Sequence, residues 1–210
     1  MISGRASAIP VWLVTAAAAV ADAQSADVDS LLASLVREPP QKIEFVEVRS
    51  STLLERELVL KGMLEYRGRG KLSRTVSTPY VERTDIDGDA IRILRPNRPE
   101  RSFSLGRAPG LGGFLTGLVA ILGGDREALE REFELSLADG ETGWQLKLVP
   151  RSKEVRARVE SIRLRGSGAA PLCIVTVAKG GGSMTELLLG EAATNPEIAR
   201  QRALYCGDSS

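Results

Sequence analysis

Residues 111–122 read LGGFLTGLVAIL, and the placement of this stretch decides the fold. On a helical wheel Leu111, Phe114, Leu115, Leu118, Val119, Ile121 and Leu122 fall on one side. Gly112, Gly113, Thr116, Gly117 and Ala120 fall on the other. A surface helix opposes its apolar stripe with charge, but no charge interrupts this run. Gly113 and Gly117 each cost about 1 kcal/mol of helix stability relative to Ala, so contacts outside the helix must hold it. At about 1.5 Å per residue it is roughly 18 Å long, too short to span a hydrocarbon core of roughly 30 Å. Two placements follow. It is either a core helix packed on a sheet or a weakly stable lid over an apolar cavity.

The flanking chain supplies the sheet. Residues 27–37 predict a first helix: Asp27 can cap it, Val28, Leu31, Leu32 and Leu35 recur at helical spacing, and Pro39-Pro40 end it. The period then changes to two. Residues 43–49 and 57–67 alternate, with Gly62 marking a bulge or bend. Arg67-Gly68-Arg69-Gly70 turns into a strand with Leu72, Arg74 and Val76, and Pro79 separates it from a fourth ending at Ile86. Asp87-Gly88-Asp89 is a hairpin signal, followed by strands carrying Ile91 with Ile93 and Phe103 with Leu105. After the 111–122 run, Gly123-Gly124 stop the helix. Asp125 then caps a shorter one with Glu127 and Arg131 paired at i,i+4. Phe133, Leu135 and Leu137 alternate, Asp139-Gly140 turn, and Trp144, Leu146 and Leu148 alternate up to Pro150. Residues 151–159 read as a loop or a poor helix. Three more strands follow, around Ile162 and Leu164, at 172–178 and at 184–189, and Asn195-Pro196 start a short C-terminal helix. The expected architecture is therefore mainly β (α+β). It is a curled antiparallel sheet of about eleven strands, an incomplete barrel with an N-terminal helix, one wet face and a helical lid region at 103–133.

Composition removes several functions. There is no histidine in the chain, which excludes His-based triads and His-ligated metal sites, and no metal or cofactor is expected. A net charge of +1 gives no long-range reason for nucleic-acid binding, and no aromatic stacking platform accompanies the Arg-rich stretches. No carboxylate pair or nucleophile motif stands out, so the chain is read as non-enzymatic. Residues 1–23 have the anatomy of a signal peptide: Arg5, an apolar stretch from Ala8 to Ala21, and an Ala21-Asp22-Ala23 cleavage site. The remainder, 24–210, is expected to be one exported domain without a lipidated N-terminus. Cys173 and Cys206 could pair in an oxidising compartment, a point the sequence leaves open.

In order and spacing these elements resemble the LolA family, periplasmic carriers of outer-membrane lipoproteins. The resemblance is carried by the N-terminal helix, Phe45, and Gly62-Met63-Leu64-Glu65-Tyr66-Arg67, which is similar to the family's Gly-x-Leu-x-aromatic stretch. Thr78-Pro79, the Ile86-to-Asp89 turn, the apolar run followed by Phe133, and Trp144 through Pro150 complete it. It implies a monomeric periplasmic carrier that shields acyl chains, handing cargo from an inner-membrane exporter to an outer-membrane acceptor. The lipid-facing residues it implies are Leu64, Tyr66, Leu111, Phe114, Leu115, Leu118, Ile121, Leu122, Phe133, Trp144 and Leu146. The family's lid-holding Arg precedes a proline. Arg67 and Arg69 are the candidates here, with glycine in the proline's place. A carrier of a glycolipid or polyene lipid with a dedicated exporter is the second reading, and a ligand-free envelope scaffold the third.

Overall fold

The structure, a computed structural model, describes residues 28–68, 70–107, 117, 119–140 and 143–207. Eleven strands form one antiparallel sheet: β1 (Gln41–Ser51), β2 (Leu58–Tyr66), β3 (Lys71–Thr78), β4 (Glu82–Asp87), β5 (Ala90–Leu94), β6 (Arg101–Ser104), β7 (Phe133–Gly140), β8 (Gly143–Pro150), β9 (Val159–Ser167), β10 (Ala170–Ala178) and β11 (Ser183–Leu189). Their spatial order is β6-β5-β4-β3-β2-β1-β11-β10-β9-β8-β7. Two meanders, β1 to β6 and β7 to β11, are thus joined where β1 pairs with β11, from Phe45 opposite Leu189 to Ser51 opposite Ser183. The outermost strands, β6 and β7, are not paired with each other, so the barrel stays open.

The sheet is curled because its burial demands it. Laid flat, eleven strands at about 4.8 Å spacing would be about 48 Å wide. Yet Leu64, Ile91, Leu146, Leu164 and Leu187, from strands across that whole width, belong to one apolar cluster with the same helices. The helices inside the curl are α1 (28–35), the described part of α2 (119–122, with Gly117) and α3 (Arg126–Glu132). From α1 come Val28, Leu31, Leu32 and Leu35, the four residues of its helical stripe, all buried. Each such side chain moved out of water contributes roughly 1.5–3 kcal/mol.

Local chemistry explains the junctions. The register of β2 on β3 shifts between Lys61 and Gly62, a bulge. A Cβ at Gly62 would strike the Thr75 carbonyl oxygen and lie 2.9 Å from Phe45 Cζ, so only glycine lets β3 and the Phe45 ring approach this closely. At the end of α2, Asp125 N–H donates to Ala120 O at 2.8 Å and Gly124 N–H to Ile121 O at 3.1 Å. This is a Schellman closure with Gly124 at φ +63. Asp125 then caps α3, accepting from Ala128 N–H at 3.0 Å.

Two sequence expectations change, at Asp139-Gly140 and on the convex face, and two are made specific. Asp139-Gly140 do not turn: they stay in the ladder opposite Trp144 and Gly143, because Gly143, at φ +130, lets pairing run to the hairpin tip. The polar stretch after Pro150 forms one helical turn, α4 (Lys153–Arg156), since Ser152 Oγ accepts from Val155 N–H at 3.1 Å. The short helix expected from Asn195-Pro196 is α6 (Pro196–Arg200), with α5 (Glu191–Thr194) before it and α7 (Arg202–Cys206) after it. Pro196 lacks the N–H to continue α5 and starts α6 instead, with Asn195 Oδ1 accepting from Glu197 N–H at 3.0 Å. The convex face is not wet throughout. Cys173, Val175 and Leu188 are covered there by Ala192 and Cys206 of the C-terminal helices.

A disulfide joins Cys173 on β10 to Cys206 on α7, fastening that cover to the sheet. Replacing both cysteines by serine is expected to lower the unfolding free energy in urea by about 2–4 kcal/mol. Two titratable thiols in the unfolded, unreduced wild-type protein would show that the bond does not form.

Candidate concave binding site

Cross-strand partners in an antiparallel sheet share a face, so the ladder register assigns the inner wall. Phe45 lies opposite Gly62 and Leu189, Leu64 opposite Ile43, and Tyr66 opposite Leu72. On the other meander Leu146 lies between Leu137 and Leu164, and Trp144 opposite Gly166. Of the residues marked from sequence as lipid-facing, Leu64, Tyr66, Ile121, Leu122, Phe133, Trp144 and Leu146 come together in one buried cluster. Leu111, Phe114, Leu115 and Leu118 lie outside the described residues.

The second helix is the inner cover of this wall. A Cβ at Gly117 would lie 3.5 Å from the Phe133 ring, and one at Gly123 would lie 3.3 Å from the Tyr66 hydroxyl. The small face of α2 therefore meets two of the aromatic rings that line the wall. Its last free carbonyl, Leu122 O, accepts from Arg37 N–H at 3.1 Å in the segment following α1. Trp144 is fixed at the rim by its indole N–H, which donates to Gly168 O at 2.8 Å.

Arg67, one of the two lid-holding candidates, has its partners on the sheet. It lies on the outer face, donating to Ser73 Oγ at 2.6 Å and reaching Asp85 at 3.3 Å. The strand alternation puts Ser73 and Asp85 opposite each other on that face, and this draws the arginine outward. Asp85 also receives Arg83 Nε at 2.9 Å and a short hydrogen bond from Ser73. Burial pushes its carboxyl up, but the Arg83 and Ser73 hydrogen bonds and the charges of Arg83 and Arg67 outweigh this and hold it below the usual value. Arg69 lies outside the described residues.

The inner wall also carries charge. Glu47, Arg74 and Glu82 are 5%, 8% and 8% exposed. Each sits on the apolar parity of its strand: Glu47 opposite Leu60 and Leu187, Arg74 opposite Leu64, Glu82 opposite Val76. Arg74 binds Glu47, and its guanidinium lies 4.9 Å from the centre of the Phe45 ring. Arg49 also binds Glu47, and Arg95 binds Glu82 at 2.5 Å. In the sequence Arg74 stands between Leu72 and Val76, on the apolar parity of its strand. The signal was present: a charge in step with the apolar residues of its own strand.

Among the described residues no cluster of His, Cys, Asp and Glu fits a metal ion, and no helix is long and apolar enough to cross a membrane. A family model described as "Outer membrane lipoprotein carrier protein LolA-like" matches residues 18–208. No curated protein matches the chain. Among solved structures, the LolA superfamily protein NE2245 from Nitrosomonas europaea is similar at 11% identity, covering 80% of this chain and 91% of its own, with a TM-score of 0.45. A putative outer membrane lipoprotein-sorting protein domain from Vibrio parahaemolyticus has 10% identity, the same coverages and a TM-score of 0.45. An uncharacterized conserved protein from Thermus thermophilus has 14% identity, again those coverages, and a TM-score of 0.44.

The outer-face cluster has a pH signature. A carboxylate with a lowered folded-state pKa contributes stability that is complete above its ordinary value, 3.8, and is lost as pH falls through the folded value. Asp85→Asn is therefore expected to cost about 1–3 kcal/mol at neutral pH. The gap to wild type should close in acid, as urea titrations across that range would show.

Proposed function

The chain belongs to the outer membrane lipoprotein carrier protein LolA-like family, and on that premise we propose that it is a periplasmic carrier shielding the acyl chains of a lipoprotein or similar amphiphile between two membranes. One observation carries the reading. Among the described residues, the concave face of an unclosed eleven-stranded sheet is covered by short helices and not by a second sheet. A cover of this kind can be exchanged. When α2 moves away, an acyl chain can replace its contacts with Tyr66, Phe133 and their neighbours at little net change in buried apolar area. A second sheet, held by its own ladder, could not be replaced so cheaply.

The lid role falls to α2 for energetic reasons. Its glycines weaken it as a helix, and its described part is tied down by the end-cap and the Arg37 bond more than by ion pairs. The lipid-facing set is the one named from sequence, with Ile121 and Leu122 its described members on α2. Residues 1–23 are the export signal, and 24–210 the single carrier domain. Delivery from an exporter in the inner membrane to an acceptor at the outer membrane completes the reading.

Two measurements test it. Exported protein should have an intact mass lacking residues 1–23, and retention of those residues would overturn the signal assignment. Ile121→Glu places a carboxylate at a side chain only 2% exposed in the apolar cluster, which the protein can relieve by releasing α2. Binding of a fluorescent acyl probe should fall about tenfold or more, roughly 1.4 kcal/mol, while the sheet keeps most of its urea stability. Global unfolding, or unchanged binding by a folded variant, would mark α2 as plain core.

A further inference from the structure

The two ends of the sheet differ in character. Antiparallel order sends alternate connections to opposite ends. At one end lie the connections after β1, β3, β5, β8 and β10, residues 52–57, 79–81, 95–100, 151–158 and 179–182. Those after β2, β4, β7 and β9 lie at the other. The first end is knitted together. Thr52 N–H donates to Gly182 O at 3.1 Å and Lys179 N–H to Arg158 O at 2.9 Å, while Tyr80, Val81, Arg95, Pro96 and Arg98 line one open groove of about 470 Å³.

Apolar exposure gathers at this end. Leu53 is 92% exposed and Val81 56%, and Leu54, Tyr80 and Leu94 are exposed with them. The described residues of the opposite connections expose no large apolar side chain. Single apolar residues scattered over a surface need no explanation, but a group at one end marks a contact. Positive charge gathers there too. The five connections carry eight exposed lysines and arginines against four exposed glutamates, although the chain as a whole has a net charge of only +1. Arg95 is engaged by Glu82 and Glu57 by Arg202, which removes one of each sign and leaves the local excess unchanged. The described residues of the opposite connections hold one arginine and one aspartate, Arg67 and Asp89.

Apolar tips set among basic residues fit the chemistry of an anionic bilayer surface. The apolar side chains enter the boundary between headgroups and acyl chains, and the cationic groups meet the phosphates. Tyrosine suits that boundary, its ring on the apolar side and its hydroxyl among the headgroups. Arg95 and Arg98 share the Tyr80 groove, so cationic donors stand beside the ring that would enter. An acidic protein surface offers the charge but no common layer for tips from separate hairpins to enter together.

We propose that this end of the sheet docks on an anionic phospholipid surface, through Leu53, Tyr80 and Val81 at the apolar tips and Arg98, Arg156 and Lys179 around them. The inference goes beyond the carrier reading and does not depend on what the concave wall holds.

The test is co-sedimentation of the purified protein with vesicles of phosphatidylcholine alone or of equimolar phosphatidylcholine and phosphatidylglycerol. Wild type should bind the anionic vesicles about tenfold or more tightly than the neutral ones, and added sodium chloride should weaken that binding. The variants Leu53→Ser/Tyr80→Ser and Arg98→Gln/Arg156→Gln/Lys179→Gln should each lower it by about tenfold or more. Lys42→Gln/Arg107→Gln, at the opposite end, should bind as wild type does. Every change is on an exposed side chain, and urea unfolding checks that the fold is kept. No binding to protein-free anionic vesicles, equal binding to both kinds, or binding that salt leaves unchanged would overturn the proposal. Wild-type binding by either tip variant, or an equal loss in the opposite-end variant, would overturn it as well. Binding of the soluble acyl probe is measured beside these and should be the same in wild type and all variants. Failure of vesicle docking with probe binding intact leaves the carrier reading standing, and loss of probe binding by wild type overturns that reading alone.

Discussion

The ladder between β1 and β11 is the interaction on which the rest of the molecule depends. Each meander could form from hairpins between neighbours, but either one alone would expose a broad apolar face. Pairing Phe45 with Leu189 and Glu47 with Leu187 merges the two faces into one wall. It does so between residues about as far apart in the chain as the domain allows, so its loop-closure cost must be offset by burial. The C-terminal helices reinforce the seam from outside, through the Cys173–Cys206 bond and the covered strip of β10 and β11. Arg202 extends that cover, reaching Glu186 on β11 at 2.6 Å and Glu57 before β2 at 2.8 Å. Burial pushes the Glu186 carboxyl up, only partly countered by the Arg202 charge.

An open sheet with an apolar inner wall needs a cover that the chain itself can supply. Here the segment between β6 and β7 provides α2 and α3, and the N-terminal segment provides α1. Their contacts differ in kind. The first helix presents four large side chains and resembles permanent core. The second meets Tyr66 and Phe133 through glycines, so its contact is close but contributes little side-chain area of its own at those points. At these points α1 covers the wall with large side chains and α2 by close backbone approach.

Charge is distributed over the sheet with equal consequence. The outer cluster of Arg67, Ser73, Arg83 and Asp85 is satisfied within itself and ties β3 to β4. The inner group lies among apolar residues, where any imbalance is felt more strongly. Strand alternation decides which cluster a residue joins, and a single step along β3, from Ser73 to Arg74, separates the two.

Most of the architecture was legible in the sequence because periodicity is local. Alternation at Leu58, Leu60, Leu64 and Tyr66, the helical spacing from Val28 to Leu35, and the turn at Asp87-Gly88-Asp89 each report which side of an element is apolar. The gathering of Leu64, Tyr66, Phe133, Trp144 and Leu146 follows from the same signal once the sheet curls. Other features belonged to the tertiary structure. The hairpin after Leu137 runs on past Asp139-Gly140, since ladder pairing outweighs a turn propensity. The outer face is dry over β10, because three C-terminal helices and a disulfide cover it. Arg67 is drawn to Asp85, and Arg74 meets Glu47 across β2. A side chain's facing is set by its neighbours in sequence, whereas its partner is set by strands that pair over long separations. The curl that brings those strands together exists only when the whole apolar wall is buried at once.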